Sequence, residues 1–254
     1  MKQLRFRRND ISKGNLILVN PAHPYAGDLQ KDQVTAVCTK PAPVFLERQT
    51  AKMLAEAIAS VGGRQEIIPV SGYRTLEEQQ SIFHTSLREH GEEFTRSYVA
   101  IPGCSEHQTG LAVDLARNRK EFDAIRPDFP YVGIWGQFRN HAVQYGFVER
   151  YPAGKERITK IAHEPWHFRY VGYPHSELML EGGLTLEEYM DCLKNYPYQG
   201  THYHTSHKNR NFEIFYVPVC DNEEAVAEIP DQVPYQASGN NEDGFVVTLW
   251  RERL

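Results

Sequence analysis

Apolar and polar positions along this chain alternate between helical and strand-like spacing, with glycines and capping residues at the joints. Over residues 43–61, Leu46, Met53, Leu54, Ala57, Ile58 and Val61 recur at helical spacing, and Gly62-Gly63 closes the run. A strand is predicted over 66–71, leading into Gly72-Tyr73-Arg74. Thr75 with Glu78 forms a capping box that opens a second helix to about residue 89, with Ile82, Phe83 and Leu87 turned inward. Residues 111–116 alternate: Leu111, Val113 and Leu115 share one strand face, and Ala112, Asp114 and Ala116 the other. A third helix fits 135–145, with Trp135, Phe138, Ala142 and Val143 as its stripe and Gly146 as its stop. Gly146-Phe147-Val148 starts another strand, and Trp166, Phe168 and Tyr170 alternate with His167, Arg169 and Val171 in a further one. Thr185 with Glu188 repeats the capping box and starts a helix to about residue 194.

Helices and strands intermix without a βαβ repeat, so the expected fold class is α+β, a central and mostly antiparallel sheet flanked by helices. After Tyr196-Pro197 the texture changes. Two apolar strands, 213–219 and 245–250, flank an acidic connection and the turn Ser238-Gly239-Asn240-Asn241. The expected division is a main domain over 1–200 and a small β-containing appendage over 201–254.

Composition narrows the function classes. The 254 residues, 41% of them hydrophobic, suffice for a core without disulfide or metal staples. A net charge of -5 speaks against a nucleic-acid partner. No stretch approaches a membrane span, and the apolar run at 16–19 is too short for a signal-peptide core, so a cytoplasmic protein is expected. Cys38, Cys104, Cys192 and Cys220 form no CxxC pair, which fits reduced thiols. Cys104 has no Cys-protease signature around it and reads as a small buried residue.

Three segments carry candidate chemistry. In Ser105-Glu106-His107-Gln108-Thr109-Gly110-Leu111-Ala112-Val113-Asp114, the histidine and the aspartate would face opposite ways on one unbroken strand. Gly110 lets the backbone turn between them, so both can converge on one ion. In Glu164-Pro165-Trp166-His167, Pro165 biases Glu164 toward an extended strand entrance, from which Glu164 and His167 reach the same cleft. His107, Asp114 and His167 match the ligand set of a catalytic zinc site, leaving Glu164 free to deprotonate water. Arg74, at the strand-to-helix turn, is placed to stabilise an oxyanion, and Gln79 to bind the backbone of a short peptide.

Together the strings SGYR-x4-Q, SEHQTGLAVD and EPWHFRYVG resemble the zinc D,D-peptidases of bacterial cell-wall metabolism, most of all the VanXY type, with VanY and VanX, of glycopeptide resistance. Each fixed position of S-x-H-x-x-G-x-A-x-D and E-x-x-H is filled, and the likeness covers roughly residues 20–190. It implies a Hedgehog/D,D-peptidase-like zinc fold with His107, Asp114 and His167 as Zn2+ ligands and Glu164 as general base. Arg74 would stabilise the carbonyl and oxyanion, and Ser105 and Gln79 would contact substrate. The implied activity is hydrolysis of D-Ala-D-Ala and of D-Ala-terminated pentapeptide precursors, conferring vancomycin resistance.

Plainer readings exist for each residue. A lone histidine such as His107 is more often hydrogen-bonded than metal-bound, and Asp114 reads equally as a buried carboxylate with a partner. Arg74 has Glu77 and Glu78 within reach. His202, His204 and His207 invite a metal reading but lie outside the family core. Arg5, Arg7 and Arg8 read as a solvated basic face. A stem-peptide endopeptidase and a non-hydrolytic zinc-bearing binding module are the rival functions. The appendage would cover the cleft, support a homodimer or extend the sheet; the sequence does not choose among these.

Overall fold

The computed structural model describes residues 1–38, 42–119, 123, 125–220 and 224–251; the side chains of Lys31 and Cys38 lie outside the described set. The strands are β1 (Lys2–Arg7), β2 (Val34–Cys38), β3 (Val44–Glu47), β4 (Ile67–Ser71), β5 (Ala112–Arg117) and β6 (Phe147–Glu149). They continue with β7 (His167–Tyr170), β8 (Tyr203–His207), β9 (Arg210–Pro218), β10 (Glu224–Ile229), β11 (Tyr235–Gly239) and β12 (Gly244–Arg251). The helices are α1 (Arg48–Ser60), α2 (Leu76–Tyr98), α3 (Gly133–Ala142), α4 (Glu156–Thr159), α5 (His175–Gly182) and α6 (Leu186–Leu193). Among the described residues every pair of these strands is antiparallel, so the α+β class expected from the sequence holds.

The chain divides into two compact units, Val19–Thr185 and a second made of Met1–Leu18 with Leu186–Leu254. This differs from the expected cut at 200/201. The reason lies in β1, where Leu4 and Phe6 point into a core built from Phe215, Val217, Ile229, Phe245 and Val247 while β1 pairs with β10. Of the arginines that read as a solvated face, Arg5 and Arg7 are outward positions of that strand and pair with Glu224, while Arg8 lies just past its end in a 3-10 turn. A second sheet of this unit has the order β11-β12-β9-β8.

In Val19–Thr185 the sheet order is β4-β5-β7-β6. β5 is central and buried along most of its length, as its small alanines allow. Register places Ser71 opposite Asp114 and Asp114 opposite His167, so three polar residues form one row across the sheet. On the other face Phe168 meets Phe129 and Phe138 edge to face. α1 is capped by Glu47, whose carboxylate accepts from the amides of Gln49 and Thr50. The residues just before it, read from spacing as helix, pair with β2 as strand β3 instead. The Thr75–Glu78 capping box is present at the start of α2. Gly91, at φ +82°, breaks that helix near the end expected at about residue 89, and helical structure resumes beyond it to Tyr98.

Candidate active site

His107 sits on a 3-10 turn, Glu106–Thr109, which ends at Gly110 with φ +68°. A Cβ at Gly110 would stand 2.7 Å from Leu29 Cδ2 and 3.0 Å from the Glu47 amide nitrogen, so only glycine fits. The turn carries the chain from the His107 side to β5, where Asp114 points back at it. His107 Nε2 lies 3.3 Å from Asp114 Oδ2, and His167 Nδ1 lies 3.0 Å from Asp114 Oδ1. Glu164 Oε2 is 3.7 Å from His167 Nδ1. All four residues are buried.

The histidine tautomers follow from their outer partners. Nδ1 of His107 is 2.7 Å from the carbonyl of Gly72, which can only accept, so that nitrogen donates and Nε2 faces inward with its lone pair. His167 turns Nε2 toward Oε2 of Glu106, 3.5 Å away, and Nδ1 toward Asp114. Among the described residues, His107, Asp114 and His167 form the one group able to hold a metal ion, with donor atoms within 4.8 Å of one another. Tetrahedral zinc with bonds of roughly 2.0–2.1 Å needs donors about 3.4 Å apart; His107 lies 3.3 Å from one oxygen of Asp114 and His167 3.0 Å from the other, which is close to that spacing.

Electrostatics point the same way. Burial would lower His167, but the carboxylates of Asp114 and Glu106 on either side of it outweigh that and lift the ring to about 9. A position that draws a proton so strongly is one that draws a cation. Burial would raise Asp114, yet His107 and His167 hold it well below the usual carboxylate range. His107 falls to about 4 through burial and the charge of Arg74. Glu164 moves oppositely, pushed up to about 8 by burial and opposed by His167.

Arg74 is fixed on three sides. It donates to Ser71 Oγ from Nε at 3.1 Å and from Nη2 at 3.0 Å, and to Gln79 Oε1 from Nη1 at 2.9 Å. Nη2 also lies 3.3 Å from Asp114 Oδ2, so its carboxylate partner is Asp114 rather than Glu77 or Glu78. Arg74, Ser105, Glu164 and Trp166 line one cavity of about 410 Å³ with the three candidate ligands. Gln79 does not line it; fully buried, it is occupied with Arg74 and with the carbonyl of Ala100 at 2.8 Å. Cys104, half-buried, lines a separate cavity of about 210 Å³. His202 is held by Glu213 at 2.6 Å and by the Tyr198 carbonyl at 2.9 Å, which accounts for that histidine structurally.

Several residues escaped the sequence reading. Glu106 Oε1 accepts from Arg150 Nε and from Arg169 Nη1, both at 2.7 Å, in an ion triad with side chains at most 1% exposed. The Tyr151 ring packs 4.8 Å from that of His167. Arg139 donates to the carbonyl of Pro165 at 2.5 Å and so anchors the turn that carries Glu164. The one available signal was the acidic residue inside the motif itself, Ser105-Glu106-His107; its partners, Arg150 just after β6 and Arg169 in β7, are distant in sequence.

Comparison with known proteins fits this geometry. The family model VanY, D-alanyl-D-alanine carboxypeptidase, matches residues 46–173, a span that holds every residue of the site. The chain belongs to the VanY family. A bifunctional D-Ala-D-Ala dipeptidase and D-Ala-D-Ala carboxypeptidase, VanXYC of Enterococcus gallinarum, is 40% identical over 179 residues, 70% of this chain and 94% of that one. The crystal structure of the vancomycin-resistance D,D-dipeptidase VanXYg, in complex with a D-Ala-D-Ala phosphinate analog, matches with TM-score 0.94 and 47% identity. That match takes in 98% of this chain and 99% of the other, so β1 and the strands after α6 have counterparts there. A VanY from a VanB-type resistance cassette, solved in complex with Zn(II), matches over 69% of this chain and 98% of its own at TM-score 0.59 and 29% identity. In this VanY-family protein no helix among the described residues is long and apolar enough to cross a membrane.

Proposed function

We propose that this protein hydrolyses free D-Ala-D-Ala and removes the C-terminal D-Ala of peptidoglycan pentapeptide precursors, thereby conferring glycopeptide resistance. The observation that carries this reading is the placement of Glu164: a buried carboxylate on the wall of the 410 Å³ cavity, beside the His107–Asp114–His167 cluster and not needed to complete it. A cavity of that size suits a small peptide. His107, Asp114 and His167 are the residues that would hold Zn2+, as their inward lone pairs and spacing allow. Bound there, zinc supplies Lewis acidity and lowers the pKa of water to about 7.

The chain's own groups do the rest. Glu164 takes a proton from the attacking water and returns it to the departing amine. Arg74, aimed by Ser71 and Gln79, stabilises the carbonyl oxygen as negative charge grows on it. Ser105 contacts substrate from the cavity wall, and Gln79 acts through Arg74. Catalysis resides in Val19–Thr185, and a cytoplasmic setting, where both substrates are soluble, belongs to the same proposal.

Zinc-loaded protein should release D-Ala from both the dipeptide and the pentapeptide, with release abolished by chelator and restored by zinc. Glu164→Ala should lower kcat by several powers of ten with zinc still bound. Near-full activity of that variant would overturn the reading, and cleavage of sacculi alone would favour a stem-peptide endopeptidase.

A further inference from the structure

Among the described residues, two buried polar atoms without a hydrogen-bond partner lie on either side of one short gap. They are Oε2 of Glu106 and Nε2 of His167, 3.5 Å apart, with side chains 0% and 4% exposed. An unsatisfied buried polar atom demands an explanation, and here each atom is the partner the other lacks. The other carboxylate oxygen of Glu106 is taken by Arg150 and Arg169 at 2.7 Å each. Two guanidinium groups on Oε1 leave Oε2 as an acceptor aimed at the imidazole. A buried charge of this kind stays only where it is paired, and the pairing here also fixes its direction.

We propose that Glu106 is a positioning residue for His167: it obliges Nε2 to carry the proton, so that the lone pair on Nδ1 faces Asp114 and His107. This rests on the metal reading of that cluster given above. A ligating histidine whose second nitrogen donates to a carboxylate is held in one tautomer and one ring orientation, and its basicity rises. Gly72 does the same for His107 through a backbone carbonyl, so the two imidazoles are set from opposite sides by different means.

Glu106→Gln separates this role from general support. The two arginines would hold the amide oxygen, turning the amide NH2 toward Nε2, which must then accept; Nδ1 would carry the proton and present the wrong face. Zinc affinity, read by competition with a chromogenic chelator, should fall roughly 10- to 100-fold. The Nε2 proton resonance of His167 in the zinc-loaded protein should disappear. Because Glu106→Gln removes the carboxylate that Arg150 and Arg169 share, the double variant Glu106→Gln/Arg169→Met restores the net charge of the triad. It should recover thermal stability without recovering zinc affinity, whereas Arg169→Met alone should bind zinc within a few-fold of wild type. Wild-type affinity in folded Glu106→Gln, or affinity restored together with stability in the double variant, would overturn the assignment while leaving the metal reading intact. Wild-type protein that took up no zinc would overturn both.

Discussion

Arg74 donates through Nη1 to Oε1 of Gln79 at 2.9 Å, so a buried amide determines where the guanidinium points. The same amide is tied to the carbonyl of Ala100 at 2.8 Å, which fixes its own orientation. Gln79 therefore bears on the site through Arg74, and its loss should be felt through Arg74. Gln79→Met should lower kcat about tenfold in the Arg74 protein and have little further effect in Arg74→Ala, a non-additivity typical of groups that act as one unit. Steady-state kinetics on the four proteins of that cycle would test this, and additive losses would contradict it.

Arg74 itself should be the more sensitive position. Removing one oxyanion stabiliser lowers kcat on the order of 100- to 1000-fold. Arg74→Lys should do little better than Arg74→Ala, because an ammonium cannot reach Ser71, Gln79 and the cavity at once as the planar fork does. Zinc content should stay near that of the wild type in both, measurable by atomic absorption alongside the kinetics.

Gly110→Ala should be among the costliest small substitutions in the chain. It combines a φ of +68° with a Cβ 2.7 Å from Leu29 and 3.0 Å from the Glu47 amide nitrogen. The left-handed conformation alone costs about 1–2 kcal/mol, and the backbone clash adds to it. A thermal melt should show a clear fall in Tm, with weakened zinc binding because the same turn delivers His107.

A separate pH effect is expected from His175. It is 1% exposed, and burial holds its pKa down at about 3, against an ordinary value of 6.5. The folded state therefore keeps this ring neutral while the unfolded state takes up a proton. Stability is fully present above 6.5 and is lost as pH falls, by up to about 1.4 kcal/mol per unit, levelling near 3. Denaturant melts between pH 7 and 4 should show a shallower slope for His175→Phe than for the wild type.

Much of the helical architecture is readable from local rules. The capping box at Thr75 and Glu78 and the glycines after α1 act over a few residues, so spacing reveals them. β1 was missed although Leu4 and Phe6 alternate with charged neighbours, since two apolar positions say little until β10 and β12 supply the surface they cover. β3 was absorbed into the α1 pattern because its pairing partner is β2, outside the window that periodicity samples. α5 carried no cap or stripe that marked it. At the site, His107, Asp114, Glu164 and His167 stand in short motifs, so their side chains could be proposed from the sequence, whereas Gln79, expected to contact substrate, is fully buried and does not line the cavity.

By itself the sequence singled out the candidates for holding an ion and for moving a proton, because ligand type, spacing and the Gly110 turn are local chemistry. Tertiary structure decided which nitrogen of each imidazole faces inward and where Arg74 aims. It also decided that Glu106, Arg150 and Arg169 stand behind His167. Those outcomes depend on register, which sets Asp114 opposite His167 and Ser71 opposite Asp114. Register in turn follows from the burial of whole strand faces, an energy summed over residues far apart in the chain.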